Sequence, residues 1–229
     1  MADIRALVWD LDGTLIHFKI DFIRARKAAI KILKKHGIPK EDLTIKKSIL
    51  ENIQKSREIL RVQGKDDDYI QKVIEKVDKA VIAIEYEAAL DATKVDGIEH
   101  VLKFAHNNHL KQAIYTFNTR QNAQVSLEQA GLIRYFNVIV GRDNIKNAKP
   151  HPDHLLTICS KLEVEPSEIV VLGDTSRDIE GAQNAGAISI AINTKISKFT
   201  KKKTFLQADY VIEEHDIPQR LISVLIELL

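Results

Sequence analysis

The segment Asp10-Leu11-Asp12-Gly13-Thr14 places two carboxylates two residues apart. On extended backbone such side chains share a face, so both can lean into one site. Carboxylates that close repel each other unless a cation, a hydrogen bond or a proton relieves them. Gly13 permits a sharp turn and a close backbone approach to a ligand. A lone Asp-Gly pair reads most simply as a turn that ends a strand; two Asp, a Gly and a Thr together go beyond that reading. Farther on, Gly173-Asp174-Thr175-Ser176-Arg177-Asp178 follows a buried-strand pattern, with Asp174 at the strand end. A carboxylate there, beside others, is a hard-cation ligand. Thr175-x-x-Asp178 also fits a helix cap, which gives Asp178 a structural alternative.

Two weaker clusters complete the set. Thr116 ends the run Ala113-Ile114-Tyr115, and Phe117, Asn118, Thr119 and Arg120 precede the next helix. A hydroxyl and free backbone N–H groups ahead of a helix suit an anion, although Asn118 or Thr119 could simply cap the helix. In Lys149-Pro150-His151-Pro152 the prolines stiffen a loop and start a helix, which puts Lys149 on a rigid support. His151 reads as an exposed loop residue. Cys159 falls among Leu155, Leu156, Ile158 and Leu162 in an amphipathic pattern and reads as core. The sequence contains no Cys/His zinc pattern, no Gly-rich nucleotide loop and no Gly-x-Ser-x-Gly elbow.

These residues need elements to position them. Short apolar runs at Ile4–Trp9, Gln112–Thr116, Phe136–Val140, Ile169–Gly173, Ile188–Ile192 and Tyr210–Ile212 predict strands. Helical patterns at Ile98–His106, Gln121–Ala130, Pro152–Leu162, Arg177–Ala185 and Ile217–Leu228 alternate with them. That alternation predicts an α/β fold, a Rossmann-like parallel sheet with its ligand site at the carboxyl ends of the strands. The stretch from about Ile20 to Asp96 is purely helical in pattern. Ile70, Val73, Ile74, Val77, Val81 and Ile84 form one apolar face, and Phe22, Ala25, Ala29, Ile32 and Leu33 another. Gly37-Ile38-Pro39 and Gly64-Lys65-Asp66 break these helices. The expected division is an α/β core of residues 1–17 and 94–229 with an inserted all-helical cap of residues 18–93. The basic stretch Lys195–Lys203 is expected to be a solvated loop.

Composition narrows the functional classes. The chain has 229 residues, 45% hydrophobic and 29% charged, an ordinary globular balance. Thirty-four basic against thirty-two acidic side chains give a net charge of +2, too balanced to point to nucleic acid or an anionic membrane as partner. One cysteine excludes an intramolecular disulfide. No apolar run suits a bilayer span, and Met1-Ala2-Asp3-Ile4-Arg5 does not open a signal region, so the expected location is cytoplasmic.

Taken in order, Asp10-Leu11-Asp12-Gly13-Thr14-Leu15, Thr116, Lys149-Pro150, and Gly173-Asp174 with Asp178 closely resemble the four motifs of the haloacid dehalogenase superfamily. The helical insertion resembles that superfamily's cap. The run Gly181-Ala182-Gln183-Asn184-Ala185-Gly186 adds a likeness to its phosphoglycolate phosphatase-like group. The resemblance implies a phosphatase acting on a small phosphorylated metabolite. Asp10 would be the nucleophile that forms an aspartyl-phosphate, and Asp12 the general acid and then base. Thr116, Phe117, Asn118 and Lys149 would bind the phosphate. Asp10, the Asp12 backbone carbonyl and Asp174 would hold Mg²⁺, with Asp178 in support. Trp9 stands where the family often has Phe, Phe117 intervenes before Asn118, and Ile16-His17-Phe18 replaces a common Val-Asp-Ser. His17, Arg24, Arg26 and Lys27 are candidate substrate contacts. A monomer or homodimer is expected. The rival readings are a phosphomutase on a phosphosugar and a catalytically idle binding protein.

Overall fold

The computed structural model describes residues 3–17, 19–194 and 202–229. It divides into two compact units, Met1–Phe18 with Ala89–Leu229, and Lys19–Ala88. The described part of the first unit holds a six-stranded sheet: β1 (Ala6–Trp9), β2 (Lys111–Tyr115), β3 (Val138–Val140), β4 (Ile169–Gly173), β5 (Ile188–Asn193) and β6 (Tyr210–Glu213). Every pairing is parallel, and the order is β3-β2-β1-β4-β5-β6. The order reverses between β1 and β4, and the carboxyl ends of strands at such a reversal form a crevice for ligands.

Alternation along the strands explains why their sequences are continuously apolar. Leu7 and Trp9 of β1 and Val170 and Leu172 of β4 pack into one core layer, while Ala6, Val8, Ile169 and Val171 pack into the opposite one. The first layer is closed by α4 (Ile98–Asn107), α5 (Arg120–Gln129) and α9 (Gln219–Leu228), the second by α6 (Asp153–Leu162) and α7 (Ser176–Ala185). Trp9 buries its ring at no polar cost, because its indole N–H donates to Gln112 Oε1 at 3.2 Å.

The second unit is all-helical, with α1 (Phe22–Lys35), α2 (Ile49–Val62) and most of α3 (Asp67–Leu90). Ile70, Val73, Ile74, Val77 and Val81 of α3 join Ala29, Leu33, Ile53 and Leu60 in its core. Ser48 and Glu51 cap the start of α2 reciprocally. One expected core residue is misplaced: Phe22 is 48% exposed, and its ring lies under the Arg26 guanidinium. As the first residue of α1 it starts one turn ahead of the buried stripe Ala25, Ala29 and Leu33. Most of Lys195–Lys203 lies outside the described residues; Lys202 and Lys203 open the short helix α8 (Lys202–Phe205), not a loop. Among the described residues no helix is long and apolar enough to cross a membrane.

Candidate active site

Strand ends deliver Asp10, Thr116 and Asp174. The Asp10 N–H still belongs to the ladder, donating to Leu172 O at 2.8 Å, and the chain then turns through Gly13, whose φ of 88° suits glycine. Asp174 follows β4 directly, and Thr116 follows β2. Lys149 arrives from the connection between β3 and α6 and is buried. Its ammonium donates to Asp10 Oδ1 at 2.5 Å, to Asp178 Oδ1 at 2.6 Å and to the Tyr115 carbonyl at 3.0 Å. It also lies 4.6 Å from the centroid of the Tyr115 ring.

Asp178 serves two purposes at once. While Oδ1 takes the lysine, Oδ2 accepts from the Thr175 backbone N–H at 3.0 Å and from its hydroxyl at 2.6 Å. The helix-capping reading and the site reading of Asp178 therefore both hold. Glycine at 173 is explained by the same carboxylate: a Cβ there would collide with the Asp178 side chain.

Asp10, Asp174 and Asp178 each offer a carboxylate oxygen, all within 4.8 Å of one another. Burial pushes the Asp10 carboxyl up to about 6, against the pull of Lys149 and with help from the Asp178 charge. Burial, then the Asp10 and Asp178 charges, pushes Asp174 up to about 8. Burial opposes the Lys149 charge, but Asp10 and Asp178 outweigh it and raise its pKa. Three buried carboxylates face one ammonium, so the cluster is short of positive charge. An all-oxygen set with that deficit fits a hard divalent cation.

Asp12 lies outside the three-carboxylate cluster, and its Oδ2 accepts from Asn118 Nδ2 at 2.6 Å. Thr116 Oγ1 accepts from the Asn118 N–H at 3.1 Å. Thr119 caps α5 through the Asn122 N–H. The Phe117 ring lies 5.3 Å from Lys149 Nζ. His151 is exposed beside Asp153, and burial pushes the Cys159 thiol up to about 11, as suits a core residue. In the helical unit Arg24 is paired with Glu87, and Arg26 donates to the Ile45 carbonyl at 2.9 Å. His17 and Lys27 are exposed.

Two contributors went unforeseen. The Thr194 hydroxyl donates to Asp174 Oδ2 at 3.0 Å, and the Tyr115 ring and carbonyl support Lys149. Thr194 directly follows β5, so the rule that strand ends carry the site points to it.

Residues 7–192 match the family model described as haloacid dehalogenase-like hydrolase. The chain belongs to that family. Among curated relatives, it is 26% identical over 196 residues to the validoxylamine A 7'-phosphate phosphatase of Streptomyces hygroscopicus subsp. limoneus, covering 83% of this chain and 86% of the relative. It is 25% identical over 205 residues to the phosphoglycolate phosphatase of Shigella dysenteriae serotype 1, covering 83% and 81%. Among solved structures, the β-phosphoglucomutase of Clostridium difficile shares the fold with a TM-score of 0.65, at 20% identity and 96% coverage of each chain. This haloacid dehalogenase-like hydrolase is thus an enzyme of a family whose curated relatives include phosphatases.

Proposed function

We propose that the protein is a Mg²⁺-dependent phosphatase that hydrolyses a small phosphomonoester through an aspartyl-phosphate on Asp10. The observation that carries this reading is Lys149, buried between Asp10 and Asp178 with Asp174 alongside. A carboxylate cannot approach a phosphate dianion unless positive charge offsets the repulsion, and Lys149 supplies part of that charge at the nucleophile itself. Mg²⁺ held by Asp10, the Asp12 carbonyl and Asp174 would supply the rest and polarise the phosphoryl oxygens. Thr116 and Lys149 hold those oxygens, with Asn118 and Phe117 beside them. An Asp10 oxygen attacks phosphorus and the ester P–O bond breaks, while Asp12 gives its proton to the departing alkoxide. Asp12 then takes a proton from water, whose oxygen attacks phosphorus; inorganic phosphate leaves and the Asp10 carboxylate is restored. Asn118 orients Asp12 for both transfers. Asp178 fixes Lys149, and Thr194 fixes Asp174. The helical insertion, residues 18–93, is the cap that selects among leaving groups.

The test is hydrolysis of p-nitrophenyl phosphate. The reading expects turnover with Mg²⁺, loss of it in EDTA, and recovery on adding Mg²⁺ or Mn²⁺. Full activity in EDTA, or none under any of these conditions, would contradict it.

A further inference from the structure

Arg177 occupies the first turn of α7 and is exposed. A cation there faces the positive end of the helix dipole and weakens the helix, so its place is not explained by helix stability. Among the described residues no carboxylate pairs with it. Its guanidinium carbon lies 5.2 Å from the centroid of the Phe117 ring, the ring that also lies 5.3 Å from Lys149 Nζ. Phe117 therefore joins a buried ammonium at the nucleophile to an exposed guanidinium. The face of the ring attracts the guanidinium, and a guanidinium's N–H donors can take an oxyanion two at a time. Both cations thus lie within 5.3 Å of one ring centroid, which bounds their separation to a span that a two-carbon ester with two anions can approach.

We infer that Arg177, held on Phe117, binds a second anionic group of the substrate. The preferred substrates are then phosphomonoesters whose alcohol part carries a carboxylate or another phosphate, over those with a neutral alcohol. The shared chemistry is an oxyanion recognised by guanidinium, and Arg177 is a specificity-determining residue. The inference rests on the phosphatase reading above and deepens it by naming a substrate class.

The experiment compares kcat/KM for ethyl phosphate, glycolate 2-phosphate and ethylene glycol bisphosphate, which share a two-carbon alcohol part and differ in the group at its far carbon: a methyl, a carboxylate or a second phosphate. The wild type prefers one or both doubly anionic esters, and the larger ratio to ethyl phosphate tells carboxylate from phosphate. Charge-assisted hydrogen bonds of this kind correspond to about tenfold to a hundredfold. Arg177→Gln should lower the ratio by that factor and Arg177→Lys should recover part of it. Added salt should lower the ratio in the wild type more steeply than in Arg177→Gln, a response that a purely structural role would not give. A wild-type ratio near one, or the same ratio in Arg177→Gln, overturns the inference while leaving the phosphatase reading intact. If the wild type turns over none of these esters nor p-nitrophenyl phosphate, the phosphatase reading fails and this inference falls with it.

Discussion

Two ion pairs of equal length behave very differently in this molecule. In the α/β unit Lys149 meets Asp10 at 2.5 Å with side-chain exposures of 2% and 8%; in the helical unit Arg24 meets Glu87 at 2.5 Å with both more than half exposed. Water and salt screen the exposed pair, and holding two long side chains together costs entropy, so it adds little to the fold. The buried cluster has a larger desolvation cost and three carboxylates for one ammonium, so it weakens the fold unless further positive charge arrives. Distance alone thus says nothing about purpose. A cluster that destabilises, placed where the strand order reverses, is an argument for chemistry.

Substitutions can break this contrast, and the largest effect belongs to Asp10. Asp10→Asn is nearly isosteric but a poor nucleophile, so turnover should fall on the order of 10⁴-fold or more. Because it also removes a charge that Asp174 opposes, the thermal midpoint should hold or rise. A variant that keeps substantial turnover, with deamidation excluded, would break the account. Next in size is Lys149→Met. Taking the ammonium away leaves buried carboxylates uncompensated and should cost about 3–5 kcal/mol in denaturant unfolding. Part of this should return at lower pH as Asp10 and Asp174 take up protons.

The pH dependence follows from the same deficit. Asp10 and Asp174 are held above their ordinary value of 3.8, at about 6 and about 8. Between those limits the folded protein binds more protons than the unfolded chain, so without a cation its stability falls as pH rises. Buried His154, which burial holds down to about 4, acts in the opposite sense below about pH 6.5, so the comparison is made above that pH. In EDTA the thermal midpoint should drop between pH 6.5 and 8.5, and Mg²⁺ should raise it more at the upper end, because binding displaces fewer protons there. A Mg²⁺ shift that is absent, or the same at both pH values, would contradict the assignment of these carboxylates. The smallest effect is expected at the exposed pair. Arg24→Met should leave the thermal midpoint within measurement error at every pH and salt concentration tested; a clear loss would erase the contrast between the two regions.

The sequence made the strand-end chemistry legible because strands buried on both faces are continuously apolar. The run Ile169–Gly173 is found as β4 with those bounds, and Ile4–Trp9 is found as Ala6–Trp9. Phe136–Val140 shortens to Val138–Val140, since Ile133–Tyr135 form a single 3₁₀ turn that leaves Phe136 as its cap. Phe22 misled because helical spacing does not say where a buried stripe begins. Within the site, Asp10 and Asp174 were legible as carboxylates at strand ends, whereas Lys149, in the connection after β3, and Asp178, in the first turn of α7, gained their meaning only from the order of the four motifs. The bond from Asn118 to Asp12 spans 106 residues and that from Thr194 to Asp174 spans 20. Neither has a local pattern, since only the sheet order brings those strand ends together.

The central claim is the covalent role of Asp10, and one variant exposes it. Asp12→Asn removes the proton donor, which a nitrophenolate leaving group scarcely needs, and also the base that activates water. Mixed with p-nitrophenyl phosphate and Mg²⁺, this variant should release a burst of nitrophenolate and then slow, because the phosphoryl group stays on the enzyme. Mass spectrometry of the acid-quenched, digested protein should find one added phosphoryl group, on the peptide that contains Asp10. Steady release of nitrophenolate with no phosphorylated peptide, or a phosphoryl group on any other residue, would contradict the account.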